Sequence, residues 1–278
     1  KDVLRIGNRE WKNRGGVVNT VENTCVQSVP VFSDYPVVEL YVNGKSIGSK
    51  KCEENIAFFD VPFVNGENVV EAVARKNGKE LRDMIRIDFK LIPDDLKNGD
   101  VPFTEMNVML GSPRYFEDRT AEMIWIPEQP YKPGSWGYIG GEPYRRKTGF
   151  GSMLGSDIDI FGTDNNPIFQ TQRTGLEAFK ADVPDGEYSV YLYWAELDTD
   201  KNLGADTENG GYSKRTFGLE INGNPVMDKV DIAEDYGFGC AVIQKFIVNV
   251  NDGKGLTVGF KRIEGEPILN AIRIYKNY

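Results

Sequence analysis

Residues 37–50 read VVELYVNGKSIGSK, in which apolar and polar side chains alternate on both sides of Asn43-Gly44. An Asn-Gly pair accepts the two positive φ angles of a type I′ turn, so residues 37–42 and 46–50 are predicted to form a β-hairpin. A second hairpin is predicted in the same way for residues 69–75 and 81–89. The pair occurs six times in the chain, at Asn43, Asn65, Asn77, Asn98, Asn209 and Asn222.

The segments around these hairpins predict an all-β first domain. Strands are expected at residues 25–32, 37–42, 56–61, 69–75 and 84–91, a spacing typical of an antiparallel sandwich of immunoglobulin type. Prolines, a glycine and charged residues within 92–102 indicate an exposed connector. We therefore expect a first domain at residues 1–93, a linker at 94–103 and a second domain at 104–278.

The second half of the chain also predicts β-structure. Strands are expected at residues 188–197, 215–221, 242–250, 256–262 and 269–275, with a short helix near 233–236. This pattern favours a larger sandwich or jelly roll. Neither half alternates strands with helices of the length that a TIM barrel or a dinucleotide-binding fold requires. The predicted fold class is all-β.

The composition excludes several classes of function. The 278 residues include no histidine, which excludes Ser-His-Asp and Cys-His nucleophiles and histidine-ligated zinc. A formal net charge of −9 at pH 7 makes nucleic acid and anionic lipid poor partners. The longest apolar runs, such as residues 190–195, are far shorter than the roughly 20 residues that cross a bilayer. We expect no nucleic-acid partner and no membrane insertion.

An aromatic cluster in a Gly- and Pro-rich region is the first candidate site. Aromatic rings on loops held by a rigid sandwich offer flat apolar faces that suit the C–H face of a sugar. The alternative is that the rings pack a long irregular segment and serve as core. The cluster consists of Trp125, Tyr131, Trp136, Tyr138, Tyr144 and Phe150.

Acidic residues offer a weaker candidate, a calcium site. Calcium takes six to eight oxygen ligands, and the spacing of Asp157, Asp159 and Asp164 fits such a site loosely. The favoured interpretation is a solvated acidic face, so we expect no metal and no cofactor. This face also includes Asp198, Asp200 and Asp206.

Neither cysteines nor paired carboxylates give a catalytic assignment. The three cysteines, Cys25, Cys52 and Cys240, have no CxxC spacing and favour buried thiols over a Cys25–Cys52 disulfide. Glycoside hydrolysis needs two carboxyl groups roughly 5–10 Å apart across a cleft, which spacing in sequence does not identify. We therefore assign no catalytic residue.

The first domain resembles a known family at three places. These are residues 4–12 (LRIGNREWK), 31–36 (VFSDYP) and 38–48 (VELYVNGKSIG). They are similar to the immunoglobulin-like domain that follows the catalytic barrel in bacterial family-2 glycoside hydrolases of β-galactosidase type. The resemblance implies a structural role for this domain, since the catalytic carboxylates of that family lie on the barrel.

From about residue 103 onward the chain resembles malectin-like carbohydrate-binding domains. Together the two resemblances cover nearly the whole chain, and their order is that found at the C-terminus of modular β-galactosidases. The segments that carry the second resemblance are 107–111 (NVMLG), 134–138 (GSWGY), 168–173 (IFQTQR), 183–188 (VPDGEY), 194–197 (WAEL), 217–223 (FGLEING) and 231–232 (DI).

The malectin resemblance implies a binding rim made by loop residues, and this chain departs from that pattern. Trp136 stands where the family has its first tyrosine, whereas Thr174 replaces the second. Asp198 and Thr199 replace an adjacent aromatic pair and precede an insertion that runs to about residue 213. Gly265 stands at the family's acidic position, with Glu266 beside it. The candidate sugar-binding residues are Trp136 and Tyr138 as stacking platform and Arg173, Thr174, Asp198 and Glu266 as polar groups.

These resemblances predict the accessory, non-catalytic C-terminal region of a β-galactosidase-type family-2 glycoside hydrolase, periplasmic or secreted as in Gram-negative bacteria. Its expected partners are a galactoside or another plant or host glycan, and the catalytic barrel of the same chain. The alternative is a purely structural pair of domains that binds no glycan and packs on the barrel or on a second subunit. A third hypothesis, that these residues are themselves an enzyme, is disfavoured because no barrel pattern occurs in them.

Overall fold

The computed structural model describes residues 2–149, 151–198 and 215–278. The chain divides into two compact units, Lys1–Asp94 and Asp95–Tyr278. Strands dominate the described residues, which confirms the predicted all-β fold class. No helix in these three ranges is long and apolar enough to span a membrane.

The first unit is built from two β-sheets in which most neighbouring strands are antiparallel. Its strands are β1 (Leu4–Ile6), β2 (Asn13–Val17), β3 (Cys25–Ser33), β4 (Val37–Val42), β5 (Lys45–Lys51), β6 (Ile56–Phe63), β7 (Gly66–Lys76) and β8 (Lys79–Ile92). One sheet has the order β1-β3-β6 and the other the order β2-β8-β7-β4-β5.

The Asn-Gly turns set the register of the second of these sheets. Asn43 and Gly44 have φ angles of 51° and 79°, so both adopt the left-handed region that a type I′ turn requires. Val42 pairs with Lys45 directly across this turn. Asn77 and Gly78 join β7 to β8 in the same way, with φ angles of 51° and 77°. Both predicted hairpins are confirmed.

In the part of the second unit that the structure describes, the chain forms longer strands and two short helices. Its elements are β9 (Glu105–Met109), β10 (Phe116–Asp118), β11 (Met123–Pro127), β12 (Trp136–Pro143), β13 (Arg145–Thr148), β14 (Gly151–Leu154), α1 (Asn166–Phe169), β15 (Arg173–Ala181), β16 (Gly186–Trp194), β17 (Thr216–Ile221), β18 (Asn224–Val230), α2 (Ile232–Tyr236), β19 (Val242–Val250), β20 (Leu256–Glu264), β21 (Ile268–Leu269) and β22 (Ala271–Lys276).

Two large sheets enclose the core of this unit. One has the order β10-β11-β9-β22-β16-β19 and the other the order β12-β15-β20-β17-β18, with β21 beside β15. Alternate residues of β16 point into this core, because Tyr188, Val190, Leu192 and Trp194 are all fully buried. Tyr193 projects from the opposite face of β16 into a second apolar cluster.

The second cluster holds the irregular residues 144–170 against the sheet. Trp125 meets Tyr193 edge-on with 5.0 Å between the ring centroids, and Phe169 of α1 lies 5.8 Å from Tyr193. Tyr144 and Ile160 belong to the same cluster and are buried. This packing fixes the loops that form one end of the second unit.

Two predicted strands of the second unit differ from the structure at their ends. The strand expected at 188–197 ends at Trp194, and the strand expected at 269–275 is divided at Asn270. The Asn270 side chain causes both breaks, because its Oδ1 accepts from Ala195 N at 2.9 Å and its Nδ2 donates to Phe169 O at 2.7 Å. The predicted short helix is confirmed as α2, capped by the Asp231 side chain.

Candidate functional site

The predicted sugar platform divides between core and surface. Trp136 is fully buried and stacks on Phe179 with 6.3 Å between the ring centroids. A ring without solvent exposure cannot receive a sugar, so the prediction that Trp136 is a platform is wrong. Trp125 and Tyr144 are likewise buried, which agrees with the core interpretation of the aromatic cluster. Phe150 lies outside the described residues.

Arg173 is a buried structural cation. Its guanidinium donates to both carboxylate oxygens of Glu128, at 2.8 and 2.6 Å, and to the carbonyl oxygens of Gly140 and Gly141, at 3.3 and 2.5 Å. The guanidinium carbon also lies 3.3 Å from the ring centroid of Tyr138. One face of the half-buried Tyr138 ring is therefore covered, and Arg173 makes four hydrogen bonds within the protein.

Two other predicted residues, Asp198 and Glu266, meet at a residue that sequence reasoning missed, Arg215. The side chain of Arg215 donates from Nη1 to the Glu266 carbonyl oxygen at 3.0 Å, and its Nη2 lies 3.5 Å from Asp198 Oδ2. Thr174 lies on β15 and pairs with Ile268. At the next residue, Gly175, an added Cβ would lie 3.3 Å from Glu266 Oε2. The structure thus brings Thr174, Asp198 and Glu266 to one rim.

Glu196 and Asp198 both form ion pairs with Arg215 in the interior of the second unit. Glu196 is fully buried, and its Oε2 forms an ion pair with Arg215 Nε at 2.6 Å. The Nε–H bond of Arg215 does not point at this oxygen, so the contact is not a hydrogen bond. Burial raises the pKa of Glu196 to about 7, although the charge of Arg215 acts in the opposite direction. Burial also raises the pKa of Tyr144, whose hydroxyl donates to Leu197 O and Asp198 Oδ1. Both carboxylates are buried and share one arginine, which is the arrangement of a structural ion-pair network.

The acidic residues proposed for calcium do not converge. Asp157 pairs with Arg146 at 2.6 Å, and Asp159 accepts a hydrogen bond from Asn166 at 3.3 Å. Within the described part of the chain no group of three or more metal-ligating side chains is present. Asp200, Asp206 and the insertion at 199–213 lie outside the described residues.

A cavity of about 300 Å³ opens at the loop end of the second unit. Tyr115 gives it an exposed aromatic edge, with 44% of the residue accessible, and Phe116 stands beside it half-buried. We call this cavity the Tyr115 pocket. It is lined by Met109, Ser112, Pro113, Arg114, Tyr115, Phe116, Leu154, Ser156, Pro167, Gln170 and Thr171.

Backbone contacts hold the three loops of the Tyr115 pocket together. Gly111 has a φ of +68°, and a Cβ there would lie 2.2 Å from the Gln172 carbonyl oxygen, so only glycine allows this approach. Ser156 N donates to Gln170 O at 2.8 Å, and Gln170 Nε2 donates to Ile158 O at 2.8 Å. The pocket is therefore formed by ordered backbone before any ligand arrives.

Buried polar atoms without partners lie next to the Tyr115 pocket. In the described structure Thr171 Oγ1, Thr174 Oγ1 and both amide atoms of Gln172 are buried and make no hydrogen bond. Such groups are rare in folded proteins and cost free energy when left unpaired. Thr171 is a residue of the pocket wall, but its buried Oγ1 is not exposed to the cavity.

Comparison with known proteins follows the division into two units. Residues 26–82 match a domain of unknown function, DUF4982. Residues 127–272, which are more than half of the chain, match the malectin domain. The chain belongs to the malectin family. We refer to residues 95–278 as the malectin unit from here on.

Solved structures match the chain over its whole length. A crystal structure of a Bacteroides uniformis β-glucuronidase is 30% identical with a TM-score of 0.85, covering 100% of this chain and 30% of that chain. B. uniformis β-glucuronidase 2, covalently bound to cyclophellitol-6-carboxylate aziridine, gives the same values. The chain thus spans 30% of the length of these enzymes. No curated protein sequence matches it significantly.

Both units therefore correspond to the non-catalytic C-terminal region of a bacterial family-2 glycoside hydrolase, as the sequence resemblance predicts. What sequence reasoning missed in the malectin unit is the Tyr115 pocket. The available signal was an aromatic pair, Tyr115-Phe116, directly after Gly111-Ser112-Pro113. It was missed because the family's binding residues lie elsewhere in the sequence.

Proposed function

We propose that the malectin unit is a carbohydrate-binding module of a family-2 glycoside hydrolase and that it binds a sugar ring in the Tyr115 pocket. The observation that carries this proposal is the composition of the pocket wall. An exposed tyrosine, a second aromatic ring, hydroxyl groups and an amide surround a cavity of about 300 Å³. Sugars present an apolar C–H face and several hydroxyls, which such a wall satisfies together.

One predicted rim residue, Arg173, lies two residues from Thr171 of the pocket wall. Arg173 and Tyr138 stack on each other, and the ion pair to Glu128 fixes their position. Segment 171–174 contains both Arg173 and Thr171, and Thr171 is part of the pocket wall. In this proposal the predicted polar residues Arg173, Thr174, Asp198 and Glu266 are scaffold for the loops.

The parent enzyme is proposed to act on β-linked hexosides or hexuronides outside the cytoplasm. The sequence resemblance favours a β-galactosidase, and the matched full-length structures are β-glucuronidases. Binding by the malectin unit would hold the enzyme near glycans that carry these sugars. The first unit would serve as a spacer beside the catalytic barrel.

Calorimetric titration of the chain with a panel of methyl glycosides tests the proposal. A single shallow pocket predicts dissociation constants from about micromolar to millimolar. Tyr115→Ala is expected to weaken binding at least tenfold. Tyr236→Ala is the matched control, because Tyr236 on α2 has nearly the same exposure, 45%, and lies outside the pocket. Equal loss in both variants would contradict the assignment of the site.

The second candidate function is purely structural. It is favoured by the burial of Trp136 and by the ion pair of Arg173 with Glu128, which remove two residues of the predicted rim. This function predicts no heat with any glycoside. It predicts instead that Tyr115→Ala weakens attachment of these units to the catalytic barrel. Limited proteolysis of the full-length enzyme would report this weakening.

A further inference from the structure

One charged side chain stands in the wall of the Tyr115 pocket, and it is a cation. Arg114 is exposed there, while every other described residue of the wall is neutral. Its backbone is held by a hydrogen bond from Arg114 N to Ser112 Oγ at 3.2 Å. The pocket therefore carries a positive charge in a chain whose net charge is −9.

Arg114 also differs from most arginines of this chain in its partners. Among the described residues its guanidinium has no carboxylate within ion-pair distance. By contrast, a carboxylate lies within 4 Å of Arg9, Arg75, Arg82, Arg86, Arg119, Arg146, Arg173, Arg215, Arg262 and Arg273. Arg114 keeps its planar set of donors for an incoming group.

A guanidinium recognises a carboxylate through two parallel N–H···O bonds, which fix both the position and the orientation of the ligand. The neighbouring groups suit the rest of a sugar ring, since Tyr115 offers an apolar face and the wall also contains the polar residues Ser156 and Gln170. The neutral wall adds no carboxylate that would repel an acidic ligand.

We propose that the Tyr115 pocket selects a sugar that carries a carboxylate, of the hexuronate class, with Arg114 binding the carboxylate. This inference rests on the proposed function, because it names the ligand class of the same site. It assigns specificity to Arg114 and stacking to Tyr115. The carboxylate at C6 is the feature that separates the preferred ligand from a neutral hexose.

Paired titrations with methyl β-D-glucuronide and methyl β-D-glucoside test this selectivity, because the two ligands differ only at C6. The glucuronide is expected to bind at least tenfold more tightly than the glucoside. Added salt should weaken binding of the glucuronide and leave binding of the glucoside unchanged. Arg114→Gln should remove the preference, by lowering the affinity for the glucuronide at least tenfold more than the affinity for the glucoside. Arg5→Gln removes the same charge from an exposed site in the first unit and serves as the control.

The outcomes separate this inference from the function on which it rests. Equal affinities for the two ligands, unaffected by Arg114→Gln, would overturn the selectivity and leave sugar binding intact. Binding of neither ligand would overturn sugar binding itself. Displacement of the glucuronide by an equal concentration of acetate would show a simple anion site and would also overturn the selectivity for sugars.

Discussion

Glu196 and Arg215 form a buried ion pair in the malectin unit, with 2.6 Å between Glu196 Oε2 and Arg215 Nε. Arg215 also lies 3.5 Å from Asp198, so a single cation serves two buried carboxylates. Removing one partner of such a pair leaves an uncompensated charge in the interior, which is strongly destabilising. The network holds β17 next to the segment that follows β16, and thus supports the predicted rim.

Above pH 7, where Glu196 is ionised, Arg215→Met is therefore expected to destabilise the malectin unit by about 3–5 kcal/mol. The measurement is the shift of its unfolding transition in urea. Arg262→Met is the control, because Arg262 pairs with Glu266 on the surface, where ion pairs contribute about 0–1 kcal/mol. Similar shifts for the two variants would contradict the structural role of the buried pair.

The raised pKa of Glu196 predicts a pH-dependent stability. Between the ordinary glutamate pKa of 4.5 and about 7, the folded chain retains a proton that the unfolded chain has released. Stability therefore falls as pH rises through this window, with a slope of up to about 1.4 kcal/mol per pH unit from this group. Glu196→Gln should flatten the curve measured by urea unfolding from pH 5 to 7. Glu234→Gln, at an exposed glutamate on α2, should leave the slope unchanged.

Trp136→Ala is expected to affect stability and leave recognition intact. The buried indole packs on Phe179, and truncation of a large core aromatic costs about 3–5 kcal/mol. Trp11→Ala, at a half-exposed tryptophan in the first unit, should cost much less. Glycoside affinity is measured under conditions where the Trp136 variant is still folded. A selective loss of affinity without loss of stability would restore Trp136 as a platform.

The approach of Gly111 to the Gln172 carbonyl predicts a difference between two glycine substitutions. Gly111→Ala and Gly223→Ala both place a side chain at a positive φ, +68° and +77°, which costs about 1–2 kcal/mol. The new Cβ meets a backbone oxygen at 2.2 Å in the first case and open space in the second. Gly111→Ala should therefore destabilise more and also weaken glycoside binding. Equal effects on thermal unfolding would contradict this account.

The fold was predictable because its signals are local. Alternation along residues 37–42 and the positive φ angles of Asn43-Gly44 specify a hairpin without reference to the rest of the chain. The breaks at Trp194 and Asn270 were not predictable, since they depend on side-chain hydrogen bonds that join Asn270 to Ala195 and Phe169. Those partners lie 75 and 101 residues away in sequence.

The candidate site was predictable only in part, for a related reason. Sequence reasoning identified Arg173, but whether its guanidinium faces a ligand or Glu128 depends on a contact across 45 residues. Trp136 and Tyr138 are two residues apart on β12, yet one is fully buried and the other is half-exposed. The Tyr115 pocket forms from loops near residues 112, 155 and 170, which no local pattern brings together.

Mapping of ligand contacts by NMR shows directly whether a sugar occupies the Tyr115 pocket. Backbone amide resonances of the whole chain are followed while methyl β-D-glucuronide is added. Saturable shifts are expected at Ser112, Arg114, Tyr115, Phe116, Gln170 and Thr171, and they should be lost in Tyr115→Ala but not in Tyr236→Ala. Saturable shifts centred on other residues, or the absence of shifts at ligand concentrations up to tens of millimolar, would contradict binding of a sugar in this pocket.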